Sequence, residues 1–314
     1  RTTMTNKELM QEDLKHIFHP CSQMKDYETL PLIPIKKGYG AYIEDFEGNV
    51  YLDCISSWWV NIFGHSNEYI NTKINEQLQE LEHVIFAGFT HKPAIDLAKR
   101  LVALTPEPLQ KLFFADNGSS AIEISLKMAF QYFKNKGESK PLFVSLQNSY
   151  HGETMGALAV SDTGLYKEVY EDILIKSLHA KSPSLVNEDE AILDMRRVLE
   201  QNQQKICAVV IEPLIQCAGS MQMYDASYIK KLRALCDEFG VFLIADEIAV
   251  GFGRTGTMFA IEQAQICPDF LCLSKGITGG YMPLSVVLFT NDIYEAFYCD
   301  YNEGLYKTRR MYLL

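Results

Sequence analysis

The sequence predicts an α/β fold in which helices cover both faces of a mostly parallel central sheet. Short and continuous apolar runs recur along the chain, as in residues 206–211 (Ile-Cys-Ala-Val-Val-Ile). Such runs are typical of strands that are buried on both faces, and these strands occur mainly in parallel sheets. Segments with apolar residues at helical spacing separate the runs, which is the alternation that a covered parallel sheet requires.

The composition indicates a globular protein with enough apolar residues for a sizeable core. The 314 residues are 47% hydrophobic, which suits one large domain or two smaller ones. A formal net charge of −11 disfavours nucleic acid and anionic membranes as general partners. The eight cysteines form no CxxC pair and no zinc-like spacing, so we expect mostly buried thiols in a reducing cytoplasm. No apolar stretch has membrane-spanning length.

The N-terminal part predicts a hairpin, an aromatic pair and two helices. Residues 38–54 alternate β-formers around a turn that contains Gly48. Residues 55–61 hold both tryptophans, and if this stretch is extended, Trp58 and Trp59 face opposite ways. One ring would then line a pocket, although two core rings are an equally good interpretation. Helical spacing of apolar residues predicts helices over residues 67–84 and 93–104.

The first buried strand leads into a possible phosphate site. Residues 112–115 are apolar, small polar residues including Gly118 and Ser119 follow, and residues 121–133 predict a helix. The N-terminus of a helix after a strand presents free N–H groups and a positive dipole end to an anion. A plain helix cap without any ligand explains this stretch equally well.

The remaining elements alternate as the fold class requires. We expect strands at residues 142–146, 206–211, 241–245, 270–273 and 284–289, and helices at residues 188–201 and from Asp225 to the stop at Gly240. Residues 165–186 show no clear pattern.

Polar residues follow five of these strands directly. They are Gly118 with Ser119, Tyr150 with His151, Glu212, Asp246 and Lys275. The carboxyl ends of parallel strands meet at one edge of a sheet, where ligands bind, so these residues should converge. Together they indicate a phosphate cradle, an aromatic plate, a buried carboxylate and an amine.

A pyridine aldehyde that carries a phosphate requires such a set. Lys275 would form an imine with the aldehyde, and Asp246 would keep the ring nitrogen protonated. Tyr150 would lie against the ring, and Gly118 with Ser119 would bind the phosphate. A competing motif is Gly-x-Gly-x-x-Gly at residues 251–256, which favours a nicotinamide site only weakly because the first glycine does not directly follow the strand.

The chain resembles the class III, fold type I aminotransferases, which use pyridoxal phosphate (PLP). The resemblance runs from about His16 to about Tyr298. It is carried by residues 19–20 (His-Pro), 56–59 (Ser-Ser-Trp-Trp), 116–119 (Asp-Asn-Gly-Ser), 149–153 (Ser-Tyr-His-Gly-Glu), 246–249 (Asp-Glu-Ile-Ala), 251–256 and 275–280 (Lys-Gly-Ile-Thr-Gly-Gly). The paired tryptophans and the Thr-Gly-Gly after the lysine resemble most the branch of the family that acts in biotin synthesis.

The resemblance implies roles for particular residues. Lys275 would carry the cofactor and shuttle the proton, and Asp246 would pair with the pyridine nitrogen. The implied cofactor-binding residues are Gly118, Ser119, Tyr150, His151, Asp246 and Lys275, and the implied substrate-binding residues are Trp58, Tyr150 and Lys275. The loop at residues 251–256 would then be a structural feature of the family.

The resemblance also implies an activity and an organisation. We expect amino transfer from S-adenosylmethionine, or from lysine, to 8-amino-7-oxononanoate, giving 7,8-diaminononanoate, in a cytoplasmic homodimer. Residues 1–62 would contribute to a small α+β domain, residues 63–300 would form a large PLP-binding domain of the seven-stranded type, and residues 301–314 would be an atypical tail.

Two departures leave alternatives open. Cys21 stands where the family has an aromatic residue that helps to recognise substrate, so the amino donor is undetermined. Residues 302–314 do not resemble the family, whose C-terminal part supplies a substrate-binding arginine and a threonine for the neighbouring subunit, and a truncation or frameshift near Gly304 would explain this. The alternatives are another class III ω-aminotransferase, of the ornithine, acetylornithine or 4-aminobutyrate type, and an inactive PLP-binding fragment.

Overall fold

The chain divides into two compact units, Arg1–Phe86 and Ala87–Leu314. The computed structural model describes residues 4–300, so the expected atypical tail at residues 301–314 lies outside the described residues. The sequence-based domain boundaries stay predictions.

The first unit is built around a small antiparallel sheet with the strand order β1-β2-β3. Its elements are α1 (Asn6–His16), a 3₁₀ turn (Met24–Glu28), β1 (Ile35–Tyr39), β2 (Tyr42–Asp45), β3 (Val50–Leu52), the single turn α2 (Ser56–Trp59) and α3 (Glu68–Glu80). Strands β2 and β3 form the expected hairpin. The buried Asp45 fixes its turn, because the Asp45 carboxylate accepts hydrogen bonds from the backbone N–H groups of Glu47 and Asn49, each at 2.9 Å.

Turn α2 corrects the expectation of an extended stretch at residues 55–61. Ser56, Ser57, Trp58 and Trp59 all have positive φ angles, between 46° and 74°, so the turn is left-handed. For residues with a side chain this conformation costs roughly 1–2 kcal/mol each. The two rings therefore do not alternate across a strand, and their centroids lie 6.3 Å apart.

The second unit contains the large sheet and its covering helices. Its first half consists of α4 (Lys92–Leu104), β4 (Leu109–Ala115), α5 (Gly118–Asn135), β5 (Leu142–Leu146), α6 (Met155–Ala159), α7 (Gly164–Lys167), a 3₁₀ turn (Glu168–Ile173), β6 (Ser177–Ala180) and α8 (Glu188–Asn202). Its second half consists of β7 (Ile206–Ile211), β8 (Ile215–Gln216), β9 (Gln222–Met223), α9 (Ala226–Phe239), β10 (Phe242–Asp246), α10 (Ile261–Ala264), β11 (Phe270–Leu273), a 3₁₀ turn (Lys275–Ile277), β12 (Ser285–Thr290) and α11 (Asn291–Glu295).

The large sheet has seven strands in the order β4-β12-β11-β10-β7-β5-β6. Strand β12 runs antiparallel to both of its neighbours, and the other six strands share one direction. The expected α/β fold with a mostly parallel sheet is therefore confirmed. Strand β6 is an addition to the expected set, because it lies within the stretch that showed no clear pattern.

Apolar clusters on both faces of the sheet hold the second unit together. On one face, buried residues of α5 such as Ile122 and Met128 pack against alternate residues of the central strands, such as Ile244. On the other face, Leu101 of α4 joins a cluster with Leu271. Every residue of β7 is buried, as expected for a central parallel strand. Within residues 4–300, no helix is long and apolar enough to cross a membrane.

Candidate active site

The polar residues expected after the parallel strands lie at one edge of the large sheet. Gly118 follows β4, Tyr150 follows β5, Glu212 follows β7, Asp246 ends β10 and Lys275 follows β11. These five strands run in the same direction, so their carboxyl ends share that edge. Contacts between these residues, described below, show that they also come together in space.

Asp246 and His151 form a buried pair. Nδ1 of His151 lies 2.7 Å from Oδ2 of Asp246, and Oδ1 of Asp246 accepts a hydrogen bond from the backbone N–H of Ile248 at 3.1 Å. The backbone N–H of His151 donates to the hydroxyl of Ser161 at 2.9 Å. Nε2 of His151 is buried, and among residues 4–300 it has no hydrogen-bond partner. The pairing fixes the orientation of the carboxylate and leaves one buried polar atom unsatisfied.

Glu212 joins the loop after β5 to the hairpin of β8 and β9. Its carboxylate accepts hydrogen bonds from the backbone N–H groups of Tyr150, at 3.0 Å, and Cys217, at 3.1 Å. Burial raises the pKa of Glu212 to about 7; the neighbouring His151 lowers this pKa, and the Asp246 carboxylate raises it. In addition to Asp246, the site therefore contains the Glu212 carboxyl group, and the charge of Glu212 changes near neutral pH.

Replacement of Glu212 by glutamine tests this buried carboxyl group. The pKa of Glu212 in the folded chain, about 7, lies above its ordinary value of 4.5, so the folded state binds the extra proton. The free energy of unfolding therefore falls as pH rises from 4.5 through about 7, and the contribution of Glu212 to this fall is up to ~3 kcal/mol. In E212Q we expect a flatter dependence of the free energy of unfolding on pH, measured by urea titration between pH 5 and 8.

The matched control for E212Q is E200Q, because Glu200 is exposed on α8. E212Q also loses one hydrogen-bond acceptor. This loss by itself lowers the free energy of unfolding equally at every pH, so it does not account for a change in the slope of that free energy against pH. A slope in E212Q as steep as in the wild type would contradict the assignment of a raised pKa to Glu212.

Lys275 is partly buried and begins the 3₁₀ turn after β11 with a φ of 46°. Burial lowers the pKa of its amine, whereas the nearby Asp246, Cys217 and Glu212 raise it. The balance favours a larger fraction of neutral, nucleophilic amine than an exposed lysine has. Gly276 follows directly, and a Cβ there would come within 3.2 Å of the Phe252 side chain.

The start of helix α5 forms a cradle of free backbone N–H groups. The side chain of Asn117 accepts from the N–H of Ser120, and its carbonyl accepts from Ala121. In the described part of the chain, the N–H groups of Gly118 and Ser119 have no protein acceptor. An anion of phosphate size suits such a helix N-terminus.

Gly152 closes this cradle from the loop after β5. Its φ is 126°, and a Cβ at this position would come within 2.8 Å of the Ser119 Cβ. The Ser119 hydroxyl also accepts a hydrogen bond from the backbone N–H of Glu153 at 3.3 Å. The absence of a side chain at residue 152 therefore allows the loop to approach the start of α5.

The glycine-rich loop at residues 251–256 forms consecutive turns, and no helix begins within it. The next helix, α10, begins at Ile261. Glu247 stabilises this arrangement, because its buried carboxylate accepts from the backbone N–H groups of Ala260, at 2.7 Å, and Ile261, at 2.8 Å. A dinucleotide site needs the third glycine to open a helix. The nicotinamide alternative therefore lacks its structural context.

Two residues that the sequence analysis singled out lie in the first unit. Trp58 is 56% exposed in the left-handed turn α2. Cys21 is also exposed, and His19, two residues before it, pairs with Asp13 through Nε2 and Oδ1 at 2.5 Å. Their part in substrate recognition stays a prediction.

The sequence analysis gave no role to three residues that contact or adjoin residues of the site. Cys217 lies at the β8–β9 hairpin, whose strands have two residues each and give no periodic signal. Ser161, which receives the hydrogen bond from His151, lies two residues after α6. Glu247 could have been suspected, because a carboxylate directly after a buried strand requires partners.

Comparison with known proteins identifies the family. A family model described as aminotransferase class-III matches residues 23–304. The chain belongs to the class-III aminotransferases. Membership makes the protein a PLP-dependent aminotransferase, in agreement with the resemblance noted in the sequence.

Similar proteins are found among curated sequences and among solved structures. Adenosylmethionine-8-amino-7-oxononanoate aminotransferase of Helicobacter pylori is 52% identical over 93% of this chain and 67% of its own length. The crystal structure of the enzyme with this name from Methanocaldococcus jannaschii has a TM-score of 0.93 and 37% identity, covering 99% of this chain and 70% of that one. A PLP-bound amine transaminase from an uncultivated Pseudomonas species has a TM-score of 0.86 and 32% identity, and the match covers 94% of this chain and 68% of that one.

The residues of this class-III aminotransferase fit PLP chemically. The cofactor carries an anionic phosphate, an aldehyde and a pyridine nitrogen. Among the described residues, the N–H groups of Gly118 and Ser119 suit the phosphate, and the Lys275 amine suits the aldehyde. The buried Asp246 carboxylate suits the pyridine nitrogen. The donor set matches the cofactor group by group.

The closure of the cradle by Gly152 predicts a defect in PLP binding for G152A. The new methyl group would displace Ser119, and loss of a hydrogen bond to a charged phosphate, of about 1.5–3 kcal/mol, weakens PLP binding about 10–100-fold. Fluorescence titration of the apoenzyme with PLP measures this. Gly137 is the control, since its φ is also positive, at 84°, but a Cβ there meets no atom within 4 Å. Unchanged PLP affinity in G152A, or an equal loss in G137A, would contradict the cradle.

Proposed function

We propose that the protein transfers an amino group to 8-amino-7-oxononanoate to give 7,8-diaminononanoate, a step of biotin synthesis. The observation that carries this assignment is the 52% identity, over 93% of the chain, to the H. pylori protein that is named for this substrate. The paired tryptophans and the Thr-Gly-Gly at residues 278–280 support the same branch of the family.

In this proposal Lys275 is the catalytic base and the attachment point of the cofactor. PLP supplies an aldehyde for covalent attachment and a ring that withdraws electrons from the reacting carbon. The lowered pKa of the Lys275 amine favours its neutral form, which would hold the aldehyde and, once the substrate's amine has taken its place there, would be free to accept a proton from the substrate carbon. The same amine returns this proton, so a single residue moves it.

Asp246 and His151 act together on the pyridine nitrogen. The Asp246 carboxylate would accept a hydrogen bond from the proton on that nitrogen. The contact with Nδ1 of His151 and the hydrogen bond from the backbone N–H of Ile248 hold the carboxylate in one orientation. His151 thus contributes by orienting Asp246.

The other proposed residues bind the cofactor and the substrate. Gly118 and Ser119 bind the phosphate through backbone N–H groups. Tyr150 contacts the ring, and its hydroxyl donates to Oε1 of Glu153 at 2.9 Å, which fixes its direction. Trp58 and Tyr150 contact the substrate, and both offer large, rigid apolar surfaces to its carbon chain.

The donor and the assembly are further parts of the proposal. S-adenosylmethionine is the proposed donor, because the name of the relatives contains it, and lysine is the alternative that the cysteine at residue 21 leaves open. We propose a homodimer in the cytoplasm, as expected from the family resemblance.

A half-reaction separates the proposed function from its alternatives. The purified chain is loaded with PLP, its visible absorption band is recorded, and S-adenosylmethionine, lysine, ornithine or 4-aminobutyrate is added in separate arms. Loss of the band with S-adenosylmethionine or lysine, followed by formation of 7,8-diaminononanoate from 8-amino-7-oxononanoate, is the expected result. A response only to ornithine or 4-aminobutyrate would contradict the substrate assignment, and a band that responds to no donor would indicate an inactive fragment.

A further inference from the structure

The left-handed turn α2 places both tryptophans of the chain in an unfavourable backbone conformation. Four consecutive residues, Ser56–Trp59, have positive φ angles, and two of them carry the bulkiest side chain. A bulky residue with positive φ is an outlier that persists only when its surroundings hold it in place. The chain must therefore contain contacts that maintain this turn.

The Asp53 side chain provides contacts that hold the turn. Its carboxylate accepts two hydrogen bonds from Ser57, one from the backbone N–H at 3.0 Å and one from the hydroxyl at 2.7 Å. Oδ2 of Asp53 also lies 2.9 Å from Nε2 of His65. In addition, the Ser56 hydroxyl donates to the carbonyl of Asn61 at 2.7 Å. Ser57, the residue directly before Trp58, is thus fixed on both its backbone and its side chain.

His65 is itself anchored to the small sheet. Its backbone N–H donates to the carbonyl of Gly40 at 2.7 Å, and its carbonyl accepts from the N–H of Gly40 at 3.2 Å. A Cβ at Gly38 would come within 2.8 Å of the His65 Cβ, so the glycine allows the imidazole to lie against strand β1. A continuous series of contacts therefore connects the sheet to the tryptophan turn through His65 and Asp53.

The surroundings of Asp53 favour an ionised carboxylate. Burial raises the pKa of Asp53, but the hydrogen bonds from Ser57 and His65 outweigh burial and lower this pKa below its ordinary value. The carboxylate is 7% exposed and stays ionised. Hydrogen bonds to an ionised acceptor are shorter and stronger than neutral ones, which favours a rigid turn.

We propose that Asp53 is a positioning residue. Through Ser57 and the left-handed turn, it holds Trp58 in the position from which Trp58 recognises the amino acceptor. This inference rests on the proposed function, in which Trp58 contacts 8-amino-7-oxononanoate. Asp53 reaches the substrate only through the turn, so it sets the acceptor affinity and leaves the chemistry at Lys275 unaffected.

The tryptophans allow this proposal to be tested without turnover. Trp58 and Trp59 are the two tryptophans of the chain, so its tryptophan fluorescence reports on this turn alone. Their rings are 6.3 Å apart and tilted by 48°, a geometry in which neighbouring indoles couple and give a circular dichroism signal. Both signals are expected to change in D53N, whereas borohydride-fixed PLP at Lys275 is expected to stay at the wild-type level.

Steady-state kinetics give the functional arm of the test. Loss of a binding contact that is made equally in the ground state and the transition state raises KM and leaves kcat unchanged. We therefore expect a rise of about 10–100-fold in KM for 8-amino-7-oxononanoate in D53N, with kcat and donor KM within about threefold. The control is E44Q, which removes a carboxylate paired with Lys37 at 3.0 Å in the same unit and should change neither signal.

Two further variants keep the proposal falsifiable if D53N folds poorly. S57A removes the hydrogen bond from the Ser57 hydroxyl to Asp53 but keeps the one from the backbone N–H, so it should change the tryptophan signals and the acceptor KM in the same direction but less. In D53N/S57G the glycine adopts positive φ without penalty, so the tryptophan signals and KM should return towards the wild type.

An unchanged tryptophan signal in D53N and S57A would overturn the proposal, as would a changed signal with an unchanged acceptor KM. Failure of the proposed function looks different, because the wild-type chain would then load PLP but transfer no amine to 8-amino-7-oxononanoate. In that case recognition of this acceptor by Trp58 is refuted as well, while the tryptophan signals of D53N still decide whether Asp53 holds the turn.

Discussion

Replacement of Lys275 by alanine is expected to lower amino transfer by about 10³-fold or more. The variant loses the amine that we propose both to attach PLP and to move the substrate proton, and groups in these two roles contribute at least this much together. The visible band of attached PLP should be absent, and borohydride should fix no cofactor to the chain. Donor-dependent transfer is measured by product formation under saturating PLP.

The matched control for K275A is K167A. Burial also lowers the pKa of Lys167, whose amine donates to the carbonyls of Ala159, at 3.0 Å, and Ser161, at 2.8 Å. Its Nζ also lies 2.9 Å from Nε2 of His179. K167A is expected to be less stable but to keep its attached PLP and most of its activity. Transfer by K275A at a rate near that of the wild type would contradict the assignment of Lys275.

Replacement of Asp246 by asparagine is expected to lower kcat/KM about 10²–10⁴-fold. Asparagine keeps the shape of the side chain but removes the carboxylate that we propose to pair with the protonated pyridine nitrogen. Breaking a buried ionic pair costs about 3–5 kcal/mol, which gives this range. PLP should still attach to Lys275, so the defect lies in transfer and not in attachment.

The pH dependence provides a second measurement on D246N. The Asp246 carboxylate raises the pKa of the Lys275 amine, so its removal lowers that pKa further. The attachment of PLP should then persist to lower pH than in the wild type, as followed by the visible band. The control is D269N, since Asp269 pairs with Arg233 at 2.7 Å and precedes β11, whereas Lys275 follows that strand. Equal activity of D246N and wild type would refute the role of Asp246.

The sequence predicted the central strands well because their burial leaves a direct signal. Residues 142–146, 206–211 and 270–273 are strands with the bounds that their apolar runs indicate. Strand β4 begins earlier than expected, at Leu109, because edge strands tolerate polar residues such as Gln110 and Lys111. Edge strand β6, with the sequence Ser-Leu-His-Ala, gave no apolar run at all.

Direction and handedness could not be predicted from the same patterns. Strand β12 is antiparallel, but a strand buried on both faces reads the same in either direction. The positive φ angles of Ser56–Trp59 oppose the local preference of these residues, and the turn that they form carries hydrogen bonds from Ser57 to Asp53. Such conflicts between local preference and structure are expected at functional or strained positions.

The candidate site was predictable as a set of residues but not as a set of contacts. The position of each polar group after a strand placed Asp246 and Lys275 at one sheet edge. The pairing of His151 with Asp246, and of Tyr150 with Glu212, depends on the strand order, which the sequence does not encode locally.

The most direct test of the central claim is to locate the attached cofactor. The PLP-loaded chain is reduced with borohydride and digested, and the modified peptide is sequenced by mass spectrometry. We predict one modified residue, Lys275. Modification at Lys167, which is also partly buried and has a lowered pKa, or no stoichiometric modification at all, would contradict the claim that Lys275 carries the cofactor.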